Sequence, residues 1–301
     1  MAAPLAAIFG LAGPRLSATE KALMAAAQPW GFIVFARNVE NPAQLAALTS
    51  DLRDSVGRDA PVLIDQEGGR VARLRGPHWR DWPDVRAALA ACPPGRAEEM
   101  LRLRYRLIAH ELRAVGVDVN CAPLLDVPAP GCDGFLPDRC LGTDAATVAR
   151  LGRAVRRGLE AGGVVPVVKH MPGHGRGDAD SHRRLPVADA PRAALAGQDF
   201  AAFRAHADAA LGMTAHVLYP ALDPQACGTF SPAVIGAIRR DIGFDGLLMT
   251  DDIGMGALEG PVAARAARAL AAGCDVILHC SGDLAEMEAL AAAAPRLAGR
   301  S

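Results

Sequence analysis

The chain has 301 residues and a net charge of −1, so it has no electrostatic footprint for nucleic acid or for an anionic membrane surface. No apolar run approaches the length of about 18 residues that a transmembrane helix needs. The seven cysteines are an odd number and form no C-x-x-C pair. They are expected to be free thiols in a reducing compartment, which makes a cytoplasmic protein the expectation.

Short apolar runs alternate along the chain with Ala-rich amphipathic segments. Residues 1–12 resemble the apolar part of a signal peptide but lack its basic start, so they are read as the first strand. Ser17 and Glu20 form a capping box that opens the first helix, and Asn41-Pro42 opens the second. The apolar runs lie at 5–10, 32–36, 61–66, 117–127, 164–168, 211–217, 246–252 and 276–280, with further helices near 97–115, 144–160, 191, 231–241, 261–272 and 283.

Eight strand-helix pairs without a hairpin signal predict an α/β protein, a single-domain (β/α)₈ TIM barrel over residues 1–301. No linker, internal repeat or low-complexity tract indicates a second domain. Polar side chains stand where the apolar runs end, and in such barrels the carboxyl ends of the strands form the active-site face. These side chains are Asp65, Asp126, Lys169, His170, His216, Asp251 and Asp252.

The segment 169–182 is the densest in chemical groups, with three of the eight histidines. Lys169 is one of only two lysines in a chain that otherwise uses arginine. This position is therefore expected to require a compact ammonium group. Asp180 and His182 are two residues apart, so the carboxylate can hold the imidazole and the pair can shuttle a proton. A surface Asp-His pair without catalytic function has the same pattern.

Histidine and aspartate are also ordinary ligands of zinc or iron, which keeps a metal-dependent hydrolase open as an alternative. Its ligands would be His170, His174 and Asp180, although their spacing matches no known ligand motif. His174, between two glycines, is better explained as a hydrogen-bonding residue within the loop.

Two further strand ends carry carboxylates. Asp65 is followed by two glycines and by Arg70 and Arg73, a set that suits a hydroxyl-rich ligand because carboxylates accept and arginines donate. An ion pair that merely rigidifies the loop is the simpler alternative. Asp251 and Asp252 end the seventh run, and one of them is expected to face a substrate while the other caps the turn at Gly254.

Taken together, these motifs resemble the bacterial β-N-acetylhexosaminidases of glycoside hydrolase family 3. Their order and spacing match from about residue 5 to residue 290. Met171 stands where the family usually has Phe, and Cys140-Leu141 replaces a Ser-Phe pair. The motifs that carry the resemblance are DQEGGR at 65–70, KHMPGHG at 169–175, DSH at 180–182, MTAH at 213–216, GFDG at 243–246 and TDD at 250–252.

The resemblance implies a retaining enzyme that cleaves non-reducing terminal β-linked N-acetylglucosamine from peptidoglycan fragments, chiefly N-acetylglucosaminyl-1,6-anhydro-N-acetylmuramic acid and its peptides. It assigns Asp251 as the nucleophile and His182 as the general acid/base with Asp180 as its partner. By the same resemblance, the substrate-binding residues are Asp65, Arg73, Arg139, Lys169 and His170.

The same motifs also fit a β-glucosidase or a phosphorylase that uses phosphate in place of water. A sugar-binding protein without activity is the weakest alternative, because binding alone gives no reason for Asp251 beside an Asp-His pair. The expected partner is a small carbohydrate, with no nucleic acid, membrane, cofactor or metal, and the sequence contains no signal for an oligomeric state.

Overall fold

The computed structural model describes residues 3–130, 132, 134, 136–181 and 184–298. Across them, eight parallel strands close into a barrel, in which each strand pairs with its neighbours in chain order and the last pairs with the first. This arrangement confirms the predicted (β/α)₈ barrel. The barrel strands are Leu5–Phe9, Pro29–Val34, Val62–Ile64, Val119–Asn120, Val165–Met171, Leu211–Thr214, Leu247–Asp252 and Val276–His279.

Helices surround the barrel, and several begin at the caps that the sequence predicts. The Ser17 side chain accepts a hydrogen bond from the backbone N–H of Glu20, whose carboxylate accepts one from the backbone N–H of Ser17. Asn41 and Asp283 cap two other helices in the same way. The α-helices are Ala18–Ala27, Pro42–Val56, Val85–Ala90, Ala97–Arg113, Ala145–Ala161, Arg192–Ala194, Phe200–Arg204, Pro232–Ala237, Val262–Ala272 and Leu284–Ala293, with π-helical turns at Leu195–Asp199 and Ile238–Ile242.

The core has two parts because successive side chains of a strand point to opposite faces. One set points outward and packs beneath the helices. The other set fills the barrel interior with residues from every strand: Ile8, Ile33, Leu63, Val119, Cys121, Val167, Leu211, Met213, Met249, Val276 and Leu278. The interior is thus a packed core, and the open space for a ligand lies beyond the strand ends.

The structure corrects the sequence interpretation in three places. The strands Leu218–Tyr219 and Asp223–Cys227 form an antiparallel pair outside the barrel; the first has only two residues and the second, DPQAC, contains a proline and polar residues, so neither shows the alternating pattern of a hairpin. The short helix Val85–Ala90 lies between the third apolar run and the helix predicted near 97–115, where the sequence analysis placed no element. The fifth barrel strand runs on to Met171 and includes Lys169 and His170, which the sequence places just after it.

No helix in the described parts of the chain combines the length and the apolar character that crossing a membrane requires. All seven cysteines are free, and four of them are buried.

The loops after the fourth and fifth strands cross in close contact at Gly175. The backbone N–H of Ala129 donates to the Gly175 carbonyl at 2.8 Å. A Cβ atom added to Gly175 would overlap the carbonyl group of Val127. Glycine is therefore required here by the close approach of two backbones.

Gly175→Ala is expected to lower the free energy of unfolding by about 1–3 kcal/mol, because overpacking against a fixed backbone cannot be relieved by a rotamer change. Gly13→Ala is the matched control, since no atom lies within 4 Å of a Cβ added there. Urea unfolding of both variants measures the difference. Equal stability of the two variants would contradict this interpretation of the crossing.

Candidate active site

Six of the residues that the sequence analysis assigns to catalysis or substrate binding line one pocket at the carboxyl ends of the strands. They come from loops and strands far apart in the chain, and the barrel alone brings them together. Because the barrel interior is filled, these polar side chains can only face a ligand in the pocket above it. The six residues are Asp65, Arg73, Arg139, Lys169, His170 and Asp251.

Asp65 and Lys169 form a buried ion pair at the centre of this pocket. The Lys169 Nζ atom lies 2.9 Å from Asp65 Oδ1, and Arg73 donates to Asp65 Oδ2 at 3.0 Å. Burial alone would raise the pKa of Asp65, but Lys169 and Arg73 lower it well below its usual range. The carboxylate is therefore ionised and held in one orientation.

Glu67 is a member of the site that the sequence analysis did not select. Arg139 donates to its two carboxylate oxygens at 2.9 and 2.8 Å, and Lys169 Nζ lies 2.8 Å from Oε1. Burial opposes its ionisation, yet Arg139 and Lys169 lower the pKa of Glu67 to about 2. Its position two residues after Asp65 was the signal in the sequence that could have placed it in the site. A glutamate in a loop, however, gives no indication that it is buried.

The two consecutive aspartates at the end of the seventh strand have different surroundings. Asp252 Oδ1 accepts hydrogen bonds from the backbone N–H groups of Gly254 and Cys280, at 3.0 and 3.1 Å. This is the expected capping role. Asp251 accepts only the N–H of Asp252 among the hydrogen bonds of the described residues, at 2.8 Å, and its Oδ2 faces His170 Nε2 at 4.0 Å.

Asp251 is kept ionised by imidazoles on two sides. Burial would raise the pKa of Asp251, but His170 first and then His216 lower it below the usual value. His216 donates from Nε2 to the Asp252 carbonyl at 3.0 Å, because that oxygen can only accept. Its Nδ1 lies 2.7 Å from the hydroxyl of Thr229. An ionised carboxylate in a pocket is the form that a nucleophile requires.

The remaining predicted residues lie on the loop after the fifth strand. Ser181 lines the pocket, and Asp180 precedes it along the chain and is partly buried. His182 lies outside the described residues, so its assignment as acid/base remains a prediction.

An apolar wall completes the pocket, and the sequence analysis did not include it. Phe35, Met213, Met255 and Cys280 line the pocket together with Leu278. The Arg73 guanidinium lies 5.2 Å from the centre of the Phe35 ring, a cation–π contact. A sugar has apolar C–H faces as well as hydroxyls, so a pocket with one charged side and one apolar side suits it.

The metal alternative does not match the described geometry. Across residues 3–130, 132, 134, 136–181 and 184–298, no three His, Cys, Asp or Glu side chains are grouped so as to hold a metal ion. His170 and His174 approach each other edge to face, with ring centroids 5.9 Å apart. Burial lowers the pKa of His174 to about 4, so this ring is neutral at ordinary pH.

The sequence model of the glycosyl hydrolase family 3 N-terminal domain matches residues 5–298. The chain belongs to this family and is a glycosidase. Among its relatives, a β-hexosaminidase of Alkalilimnicola ehrlichii is 39% identical over 91% of this chain and 80% of its own. A β-hexosaminidase of Pseudomonas aeruginosa is 37% identical over 96% of this chain and 86% of its own.

Solved structures agree with this assignment. NagZ from Neisseria gonorrhoeae, in complex with N-trifluoroacetyl-D-glucosamine, superposes with a TM-score of 0.90 at 30% identity, over 99% of this chain and 88% of that one. A family 3 β-N-acetylglucosaminidase from a Paenibacillus species gives 0.88 at 33% identity, over 96% and 56% of the two chains. The resemblance to bacterial β-N-acetylhexosaminidases is confirmed.

Glu67→Gln is expected to lower the free energy of unfolding at pH 7 by about 3–5 kcal/mol, because it leaves Lys169 and Arg139 short of a buried negative charge. Glu67 has a lowered folded-state pKa, so its ionisation stabilises the fold above pH 4.5, and this stabilisation is lost as the pH falls toward 2. The difference between variant and wild type should therefore narrow between pH 7 and pH 3.

Urea unfolding at both pH values measures this effect. Glu98→Gln is the control, because Glu98 pairs with Arg150 at 2.6 Å on the surface, where both side chains are half exposed. It should cost at most about 1 kcal/mol. A Glu67→Gln deficit that stays constant with pH would show that Glu67 is not held ionised by its neighbours.

Proposed function

We propose that this chain is a retaining β-N-acetylhexosaminidase that releases non-reducing terminal β-1,4-linked N-acetylglucosamine from peptidoglycan fragments. Its substrates would be N-acetylglucosaminyl-1,6-anhydro-N-acetylmuramic acid and its peptide-bearing forms. The observation that carries the proposal is the meeting of the ionised Asp251 with a rigid array of charged sugar-binding groups in one pocket. The β-hexosaminidase relatives and the glucosamine derivative bound by the Neisseria protein support it.

The proposed sugar site uses charges that are already fixed before a ligand arrives. Asp65 accepts from hydroxyl groups of the terminal sugar, while Lys169, Arg73 and Arg139 donate to its oxygens. Lys169 is 3% exposed and held between two carboxylates, so it does not need to reorganise on binding. Preorganised donors lower the entropic cost of binding and fix the sugar over Asp251.

The reaction would proceed by double displacement. Asp251 attacks the anomeric carbon while His182, as an imidazolium, protonates the departing glycosidic oxygen, which gives a covalent glycosyl-aspartate. His182 then takes a proton from water, which attacks the same carbon and releases the sugar with its original configuration. Asp180 would favour the charged ring needed in the first step.

The geometry supports Asp251 rather than Asp252 as the nucleophile. Asp252 Oδ1 is engaged by two backbone N–H groups in the turn that follows the strand. Asp251 lies beside His170 and His216, which keep it ionised in the pocket.

We also propose that residues 1–301 form one catalytic domain and that it works in the cytoplasm, in the recycling of cell-wall fragments. The seven free cysteines support a reducing compartment.

Asp251→Asn should reduce the hydrolysis of 4-nitrophenyl N-acetyl-β-D-glucosaminide by about 10⁴-fold, since the amide cannot act as the nucleophile. Asp252→Asn is the matched control and should keep most of the activity, because an asparagine oxygen can still accept both N–H bonds. Steady-state kinetics on the two variants decide between the carboxylates. A dead Asp252→Asn enzyme with an active Asp251→Asn enzyme would reverse the assignment.

His182→Ala should lose about 10²–10⁴-fold on the natural disaccharide, whose leaving oxygen needs a proton. It should lose far less on a 2,4-dinitrophenyl glycoside, which leaves without protonation. Comparing kcat/KM for the two substrates measures this, and equal losses would contradict the role of His182 as the acid.

Running both assays with added phosphate and testing for sugar 1-phosphate separates hydrolase from phosphorylase.

A further inference from the structure

Asp126 is a fully buried carboxylate beside the pocket, and the mechanism above does not use it. It lies after the short fourth strand and is one of the strand-end residues singled out by the sequence. Its Oδ2 lies 2.8 Å from His170 Nδ1. Its Oδ1 accepts the backbone N–H of His174 at 2.6 Å and, more weakly, that of His170 at 3.4 Å.

The contact with Asp126 decides which nitrogen of His170 carries a proton. Burial would raise the pKa of Asp126, but His170 lowers it, so the carboxylate is ionised and can only accept. Nδ1 of His170 must then be the donor. The other nitrogen, Nε2, is left to face Asp251 Oδ2 at 4.0 Å. This distance is too long for a hydrogen bond, so these two groups interact through charge.

We propose that Asp126 is a positioning residue for the reaction: it holds the His170 ring by Nδ1 so that Nε2 remains directed at Asp251. The imidazole held in this place favours the ionised form of the nucleophile. Asp126 itself touches neither the substrate nor the reacting atoms. This inference rests on the proposed function, in which Asp251 is the nucleophile.

The other charged groups around the ring are consistent with this role. Asp251 is the second carboxylate that faces His170. The rings of His174 and His216 interact with it electrostatically, and burial lowers the pKa of both. The cation of the preceding residue, Lys169, is already paired with Asp65 and Glu67. Asp126 is thus the carboxylate in direct contact with the ring on the side away from the nucleophile.

Asp126→Asn tests this with little change of shape. Its amide oxygen can still accept the N–H of His174, but an NH₂ group at the Oδ2 position cannot accept from Nδ1–H. The ring must then accept at Nδ1 and carry its proton on Nε2, so that the tautomer that Asp126 selects is lost. A wrong histidine tautomer in a catalytic unit costs up to about 10⁴-fold.

We expect kcat/KM to fall by about 10²-fold or more, mainly in kcat, and its acidic limb to move to higher pH, because the oriented His170 ring is the first of the groups that lower the pKa of Asp251. Asp199→Asn is the matched control. Asp199 is also a buried carboxylate that holds this loop, through Arg176 at 2.7 Å, but it has no contact with His170. The control should leave the position of the acidic limb unchanged.

Nitrogen-15 NMR of the His170 ring gives a readout that does not depend on activity. In the wild type Nδ1 should carry a proton at neutral pH, because it donates to Asp126, and in Asp126→Asn it should not. An unchanged ring spectrum in Asp126→Asn, or the same shift of the acidic limb in both variants, would overturn the positioning role. A wild-type enzyme that binds the sugar without cleaving it would instead overturn the proposed function, while the ring spectrum would still test the Asp126 contact.

Discussion

The site depends on a chain of alternating charges buried at the carboxyl ends of the barrel strands. Lys169 lies between Asp65 and Glu67, Arg73 contacts the other oxygen of Asp65, and Arg139 contacts both oxygens of Glu67. An unpaired ammonium with 3% exposure would cost several kcal/mol. Here each charge has a partner of opposite sign, so the array is tolerated and rigid, and it presents fixed donors and acceptors to a ligand.

The fifth strand connects this array to the nucleophile. Lys169 belongs to the charge chain, while the next residue, His170, contacts Asp126 and faces Asp251. Consecutive residues of one barrel strand thus contact the charged groups proposed to bind the sugar and the carboxylate proposed as the nucleophile. A small displacement of this strand end would disturb both substrate binding and catalysis. The adjoining loop is packed closely at Gly175 and is held to Asp199 through Arg176.

The sequence was sufficient for the barrel, because apolar runs and capping signals alternate regularly and the polar residues fall at the strand ends. Together with the family resemblance, it was also sufficient for six residues assigned to catalysis or substrate binding that line the pocket. It was not sufficient for Glu67 or for the apolar wall of Phe35, Met213 and Met255, since these positions acquire their function only from contacts with distant loops. The antiparallel pair of Leu218–Tyr219 with Asp223–Cys227 was missed because the first strand has only two residues and the second contains a proline and polar residues.

The local sequence treats Asp251 and Asp252 alike, and the family resemblance assigned Asp251; the turn adds what neither could show, that Asp252 is engaged by two backbone N–H groups. The central claim is that Asp251 becomes covalently bonded to the sugar. Its most direct test is incubation with a slow fluoro-substituted N-acetylglucosaminide, followed by digestion and mass spectrometry of the labelled peptide. The label is expected on Asp251; a label on Asp252, or turnover with no covalent adduct, would contradict this account.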